Sequence, residues 1–150
     1  MKIVIDTNIV FSAVINSHGK IGDIIFKSSN CFQFYSADYL LFELSNHWEK
    51  LKKLSKLSDA QLTKSLYHIS RKIRFIDEQI IPREIWVDSE KNVSEIDIDD
   101  VNFESMTKYL NGILWIGDKR LHKGLKKSKF IQVMNTNELL EFRNEILTRE

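Results

Sequence analysis

Acidic residues at the boundaries of predicted elements carry the chemistry that this sequence can do. Asp6 closes the short β-branched run Lys2–Ile5, and Asp118 follows Ile113–Ile116 with Gly117 between. Asp97, Asp99 and Asp100 crowd the approach to a helix marked by Phe103, Met106 and Leu110. Carboxylates gathered in one place raise one another's pKa unless cations neutralise them. Hard divalent ions with oxygen ligands, Mg²⁺ or Mn²⁺, do this naturally. Two such ions about 4 Å apart can activate a water and stabilise the leaving oxygen of a phosphodiester. Position alone therefore points to metal-dependent phosphoryl transfer. The same residues have plainer uses: an Asp after a strand forms turns or caps helices, and Asp99 suits the N-cap of the Phe103 helix.

The elements that must position these acids are legible from periodicity. Lys2–Ile5, Phe32–Tyr35, Arg74–Ile76, Ile113–Ile116 and Ile131–Met134 read as strands. Ile21–Lys27 reads as a helix, and Asp38 to about Lys56 as a longer one with Leu41, Leu44, Trp48 and Leu51 as its apolar stripe. Glu43 falls off that stripe. Ser58 starts another helix striped by Leu62, Leu66 and Ile69, and Lys119–Lys127 reads as a short basic helix. Asn135 with Glu138 three residues on is the signature of a capping box opening the last helix. Strands alternating with helices predict one α/β domain over 1–150 with a mainly parallel sheet. Right-handed crossovers then place the strand ends, with Asp6 and Asp118, on one edge. Ligands bind at that edge in open sheets of this kind.

Composition limits the alternatives. One Cys excludes a disulfide framework, and 43% hydrophobic content excludes a disordered chain. No apolar stretch approaches the length of a membrane span, and the opening run is too short for a signal segment, so the expectation is a cytoplasmic protein without a membrane partner. Twenty-two Lys and Arg against 21 Asp and Glu give a net charge of +1, which excludes a nonspecific polycation. The balance hides two opposed local fields. Residues 84–104 hold eight acids against Lys91, whereas Lys119, Arg120, Lys123, Lys126, Lys127 and Lys129 follow with no acid until Glu138. The basic run starts beside Asp118, where a phosphate backbone would lie if the acids hold metal.

At these positions the chain resembles the PIN-domain ribonucleases. Ile3-Val4-Ile5-Asp6-Thr7-Asn8 is similar to their opening strand and first acid, and Phe42-Glu43-Leu44 to their second. Asp97-Ile98-Asp99-Asp100-Val101-Asn102-Phe103 resembles their third acidic motif, and Leu114-Trp115-Ile116-Gly117-Asp118-Lys119-Arg120-Leu121 their fourth. The resemblance implies a three-layer α/β/α sandwich around a five-stranded, mainly parallel sheet. It implies a Mg²⁺- or Mn²⁺-dependent endonuclease of single-stranded RNA, in many members the toxin of a toxin–antitoxin pair and a homodimer. Carried over, it makes Asp6, Glu43, Asp100 and Asp118 metal ligands, with Asp97 an outer or alternative ligand. Thr7 and Asn8 would orient Asp6, and Lys119, Arg120, Lys123, Lys126 and Lys127 would face RNA.

Two features depart from that pattern. Ile116 stands where a Thr or Ser is usual, and Glu104 lies in a third-motif helix poor in Ala. Ile116 motivates the alternative of a PIN-fold module that binds RNA or protein with little or no catalysis. A phospho-acceptor receiver, also an α/β fold with an acidic pocket, is a further possibility, since Asp77 follows Arg74–Ile76. His47, four residues after Glu43, shares its helix face and reads as a solvated or hydrogen-bonded side chain.

Overall fold

The β-branched opening run becomes strand β1, Lys2–Ile5. The computed structural model describes residues 1–86, 98–117, 119–126 and 131–150, with backbone alone at 98–101, 120 and 121. Ile3, Val4 and Ile5 are all fully buried, as in a strand covered on both faces. β1 pairs in parallel with β2, Gln33–Ala37, and with β4, Ile113–Trp115. The edges are β3, Ile73–Ile76, and β5, Gln132–Met134, giving five parallel strands in the order β3-β2-β1-β4-β5.

Successive residues of β1 enter different cores, because side chains alternate across a strand. Ile3 and Ile5 join Phe34 and Trp115 against helices α1, Thr7–Ile15, α2, Lys20–Lys27, α3, Tyr39–Asn46, and α4, Trp48–Ser55. Helix α5, Asp59–Ser70, and the closing helix, Thr136–Arg149, complete that layer through Leu62 and Leu139. Val4 instead joins Tyr35, Leu114 and Ile116 against Phe103 and Met106 of helix α6, Ile98–Leu110, and Leu125 of helix α7, Lys119–Lys126. The closing helix is α8. These three layers are the α/β/α sandwich that the sequence implies.

Glycine at 112 is set by close approach. α6 ends at Asn111, whose φ of 52° is left-handed, and a Cβ on Gly112 would lie 2.6 Å from the carbonyl oxygen of Lys2. Only a residue without a side chain lets β4 enter beside β1 there.

Several boundaries differ from the sequence reading. The stretch from Asp38 to Lys56 is two helices, α3 and α4, which break at His47. Ser45, Asn46 and His47 are weak helix formers, and the break lets each half aim its own leucines at the core. The apolar stripe keeps Leu44 and Leu51, both buried, but its first member is Leu40 rather than Leu41. Leu40 and Leu44 are fully buried, whereas Leu41 is 43% and Phe42 68% exposed. Trp48 is half-buried, and its Nε1 donates to Asp59 Oδ1 at 2.9 Å, tying α4 to α5.

Helix α1 has no stripe to betray it, since its apolar residues at 9, 10, 11, 13, 14 and 15 surround the axis. Asp99 lies inside α6, which begins at Ile98, so it is not the N-cap. The capping boxes at Ser58 with Gln61 and Asn135 with Glu138 are both formed.

The strand order removes the receiver reading, whose doubly wound order is 2-1-3-4-5. Asp77 instead caps a 3₁₀ turn, accepting from the Gln79 amide at 2.9 Å. Among the described residues, no single helix is long and apolar enough to cross a membrane.

The stripe gives a direct stability test. Leu44→Ala should cost about 2–5 kcal/mol in urea unfolding, as for a leucine deleted from a packed core. Leu41→Ala should cost under about 0.5 kcal/mol, the range of ordinary surface changes.

Candidate functional site

The strand order 3-2-1-4-5 makes the chain reverse its winding at β1, so the crevice between the ends of β1 and β4 is the switch point. Asp6 occupies it. The Asp6 amide donates to the Trp115 carbonyl at 3.4 Å, joining the end of β1 to β4. Its side chain caps α1, with Oδ1 accepting from the Ile9 amide at 2.9 Å. The carboxylate is only 5% exposed. Asp6 is thus a helix cap in fact, and that role holds an acid at the sheet's carboxyl edge. The amide orienting it comes from Ile9, a donor that residue types do not reveal. Thr7 and Asn8 are the first residues of α1, and Asn8 lines a cleft beside Asp6.

The other predicted acids fall unevenly. β2 ends at Ala37 and α3 starts at Tyr39, so Glu43 rises from the same edge one strand away, half-buried, in the second turn of α3. The backbone of Asp100 lies in the first turn of α6, but its side chain, Asp97 and Asp118 lie outside the described residues. Among the described residues, no three His, Cys, Asp or Glu side chains gather closely enough to hold an ion. Gly117, the residue before Asp118, is exposed and faces Ile9 of α1. Ile116 is fully buried in the α6-side core, and its amide donates to Met134 at 3.1 Å, so this side chain serves packing. Glu104 is fully buried one turn after Asp100, which puts a further acid on that face of α6. A carboxylate withdrawn from water needs compensation. Glu104 stands out in the sequence as an acid between two core positions, Phe103 and Met106.

The surrounding groups fit a polar ligand. A cleft of about 470 Å³ opens beside the switch point between Asn8, Ser12, Gly117 and Thr136. A neighbouring one of about 480 Å³ continues from Ser12 and Thr136 to Asn16, Lys20 and Asn137. Lys20 Nζ donates to Asn137 Oδ1 at 3.3 Å, bridging α2 and α8 along this groove. His47 turns away from metal chemistry, with its ring edge-on to Phe11 at 5.8 Å. Trp115 is fully buried and donates to Thr136 Oγ1 at 3.0 Å, so it belongs to the core.

Helix α7 begins directly after Asp118. Lys119, Lys123 and Lys126 are exposed on it, whereas the side chain of Arg120 and the whole of Lys127 lie outside the described residues. α7 is fastened to α8 through one carboxylate. Glu138 takes His122 Nε2 at 2.5 Å, the Lys126 ammonium, and the Asn135 amide at 3.2 Å. Burial pushes the Glu138 carboxyl up, but Lys126, the Asn135 amide and His122 together outweigh it and hold the group below its ordinary value of 4.5. A depressed folded pKa means that the stabilisation is complete above the unfolded value and fades as pH falls through the folded one. Glu138→Gln, which can still complete the capping box, should therefore lower the urea midpoint at pH 7. That deficit should shrink progressively below about pH 4.5, where wild type loses the same charge.

Comparison with known proteins agrees with this architecture. A PIN domain family model matches residues 4–142. No curated protein matches the chain in sequence. Among solved structures, VapBC2 from Rickettsia felis bound to a DNA fragment from their promoter is similar at TM-score 0.68 and 17% identity, covering 90% of this chain and 98% of that one. DNA-bound VapBC from Salmonella typhimurium gives 0.63 at 13% identity, covering 91% and 98%. VapBC-1 from nontypeable Haemophilus influenzae gives 0.62 at 13% identity, covering 91% and 99%. With its family model matched from β1 into α8, the chain belongs to the PIN domain family, a family of nucleases.

Proposed function

We propose that this protein is a metal-dependent endoribonuclease that hydrolyses single-stranded RNA. Asp6, Glu43, Asp100 and Asp118 are the ligands proposed for Mg²⁺ or Mn²⁺, with Asp97 an alternative. The observation that carries the reading is Asp6, a nearly buried carboxylate fixed by the Ile9 amide at the switch point of a parallel sheet. An all-carboxylate donor set suits a hard cation, and Cys31, the one thiol, is buried in the α1-side core. Such an ion, when bound, would ease the loss of a proton from the attacking water and offset charge on the phosphate.

The chain's own residues supply the rest. The Ile9 amide keeps the Asp6 carboxylate in one orientation, as outer donors do for metal ligands. Lys119 and Lys123, with Arg120, Lys126 and Lys127, offer cations beside Asp118 for the RNA backbone. The VapBC likeness supports a toxin role with an antitoxin partner; a cytoplasmic location and assembly as a homodimer are proposed with it.

Asn caps helices about as well as Asp, so Asp6→Asn removes the charge and keeps the fold. With Mn²⁺ and fluorescent single-stranded RNA, Asp6→Asn should cut about a hundredfold more slowly, or worse, while its melting temperature stays near that of wild type. Asp6→Ala should lose the same activity and also about 1 kcal/mol of stability with the cap. If wild type binds RNA but cuts none with either metal, the protein is a PIN-fold binding module instead.

A further inference from the structure

The stretch from 60 to 76 holds Lys64, Arg71, Lys72 and Arg74 and no acid. It runs along α5 into the edge strand β3, on the far side of β2 from Asp6. Arg71, Lys72 and Arg74 are all exposed and border a recess of about 190 Å³ with Ser29 and Gln33. Among the described residues none of the three forms an ion pair, although Asp23, Asp59 and Glu138 each take a cation elsewhere. In a chain of net charge +1, unneutralised cations gathered at one place are a local field rather than a general excess.

Two of these cations are held in place. The Arg71 guanidinium lies 5.6 Å from the Tyr67 ring centroid, and its Nη1 donates to the Tyr67 hydroxyl at 3.4 Å. Arg74 lies 6.0 Å from the ring of Tyr35, its partner across the β2–β3 ladder. A guanidinium resting on a ring loses less freedom when it meets a phosphate. Tyr67 is itself 55% exposed and packs beside the His68 ring at 5.7 Å. Tyr35 is buried, so Tyr67 is the open ring here; cations beside an exposed aromatic ring are how proteins hold single-stranded nucleic acid, with phosphates on the charges and a base on the ring. An acidic peptide would use the charges but would have little use for the ring.

We infer that Tyr67, Arg71, Lys72 and Arg74 form a second contact surface for single-stranded RNA, outside the proposed metal site. This rests on the RNA-cutting reading for its choice of partner. Arg71 and Lys72 precede β3, whereas Asp6 follows the end of β1 two strands away, so the patch and the proposed metal site lie toward opposite ends of the parallel strands.

The test is fluorescence anisotropy of a labelled oligouridylate with wild-type protein in EDTA, so that binding is read without cutting. Arg71→Glu with Arg74→Glu should weaken binding about tenfold or more and flatten the salt dependence by about 1.4 log units per log unit of salt, the loss of two phosphate contacts. Lys50→Glu with Lys53→Glu makes the same change of net charge on exposed positions of α4 and should alter neither quantity. Arg71→Gln with Arg74→Gln answers the same question should the charge reversal fail to fold.

The surface is overturned if the folded Arg71/Arg74 variants bind as wild type does, or if the α4 pair weakens binding equally. It is also overturned if polyglutamate displaces the RNA at equal charge concentration, which would make this an acidic-protein surface. RNA held through these residues but never cut with Mn²⁺ leaves the surface standing and removes the nuclease reading. RNA cut normally and bound without them does the reverse.

Discussion

Parallel pairing of β1 on both sides is the constraint from which the rest of this structure follows. A parallel pair cannot be closed by a hairpin, so each strand must be re-entered from the same end, and every strand finishes on one edge. The chain winds from β1 through β2 to β3, then crosses back to place β4 against the other side of β1. That reversal leaves a crevice between two strand ends. Asp6 sits at one lip and Gly117 at the other. The Asp6 amide on the Trp115 carbonyl and the Ile116 amide on Met134 extend the ladder one residue beyond the strands. The backbone is therefore fixed up to the residues that the proposed chemistry needs.

How much of this was legible in the sequence depends on how local the governing physics is. Strands rich in Ile and Val, and caps such as Ser58 with Gln61, declare themselves within a few residues, and all five strands lie within two residues of their expected starts and ends. The phase of α3 does not. Leu40, Leu41, Phe42 and Leu44 are all apolar, and only tertiary packing decides that Leu40 faces inward while Leu41 and Phe42 face water. Nor does α1, which is apolar on every side and is revealed mainly by Asp6 acting as its cap. For the site, the sequence named Asp6 by its place after a strand and Glu43 through a family resemblance. The groups around Asp6, the Ile9 amide, Ser12 and Thr136, come from separate parts of the chain and carry no local signal.

The charges show the same division between pairing and exposure. On the α2 and α8 surface they are mutually satisfied. Arg143 donates to Asp23 and to Ser28, both at 3.1 Å, and Lys27 meets Asp23 at 2.9 Å. The Lys27 hydrogen bond is the largest influence on the Asp23 carboxyl and, with Arg143, holds it below its ordinary range. At α7 the Glu138 carboxylate gathers the Lys126 ammonium and the His122 ring and fixes the helix that follows Asp118. Along α5 and β3, among the described residues, no acid pairs with the arginines. A nearly neutral protein can therefore present quite different fields on different faces.

The order of the strands also governs how the chain is built. Ile3 pairs with Phe34 on one side, but its other neighbour, Ile113, lies in the last third of the chain. During synthesis, β1 can find β2 and β3 early, while its second edge stays open until β4 has emerged. That edge belongs to one of the most apolar strands in the protein. Unpaired edges of this kind recruit other chains, and long-range parallel pairing is slow to form. The topology that creates the crevice thus also leaves the nascent protein dependent on its own late segments, or on a chaperone, to shield its central strand.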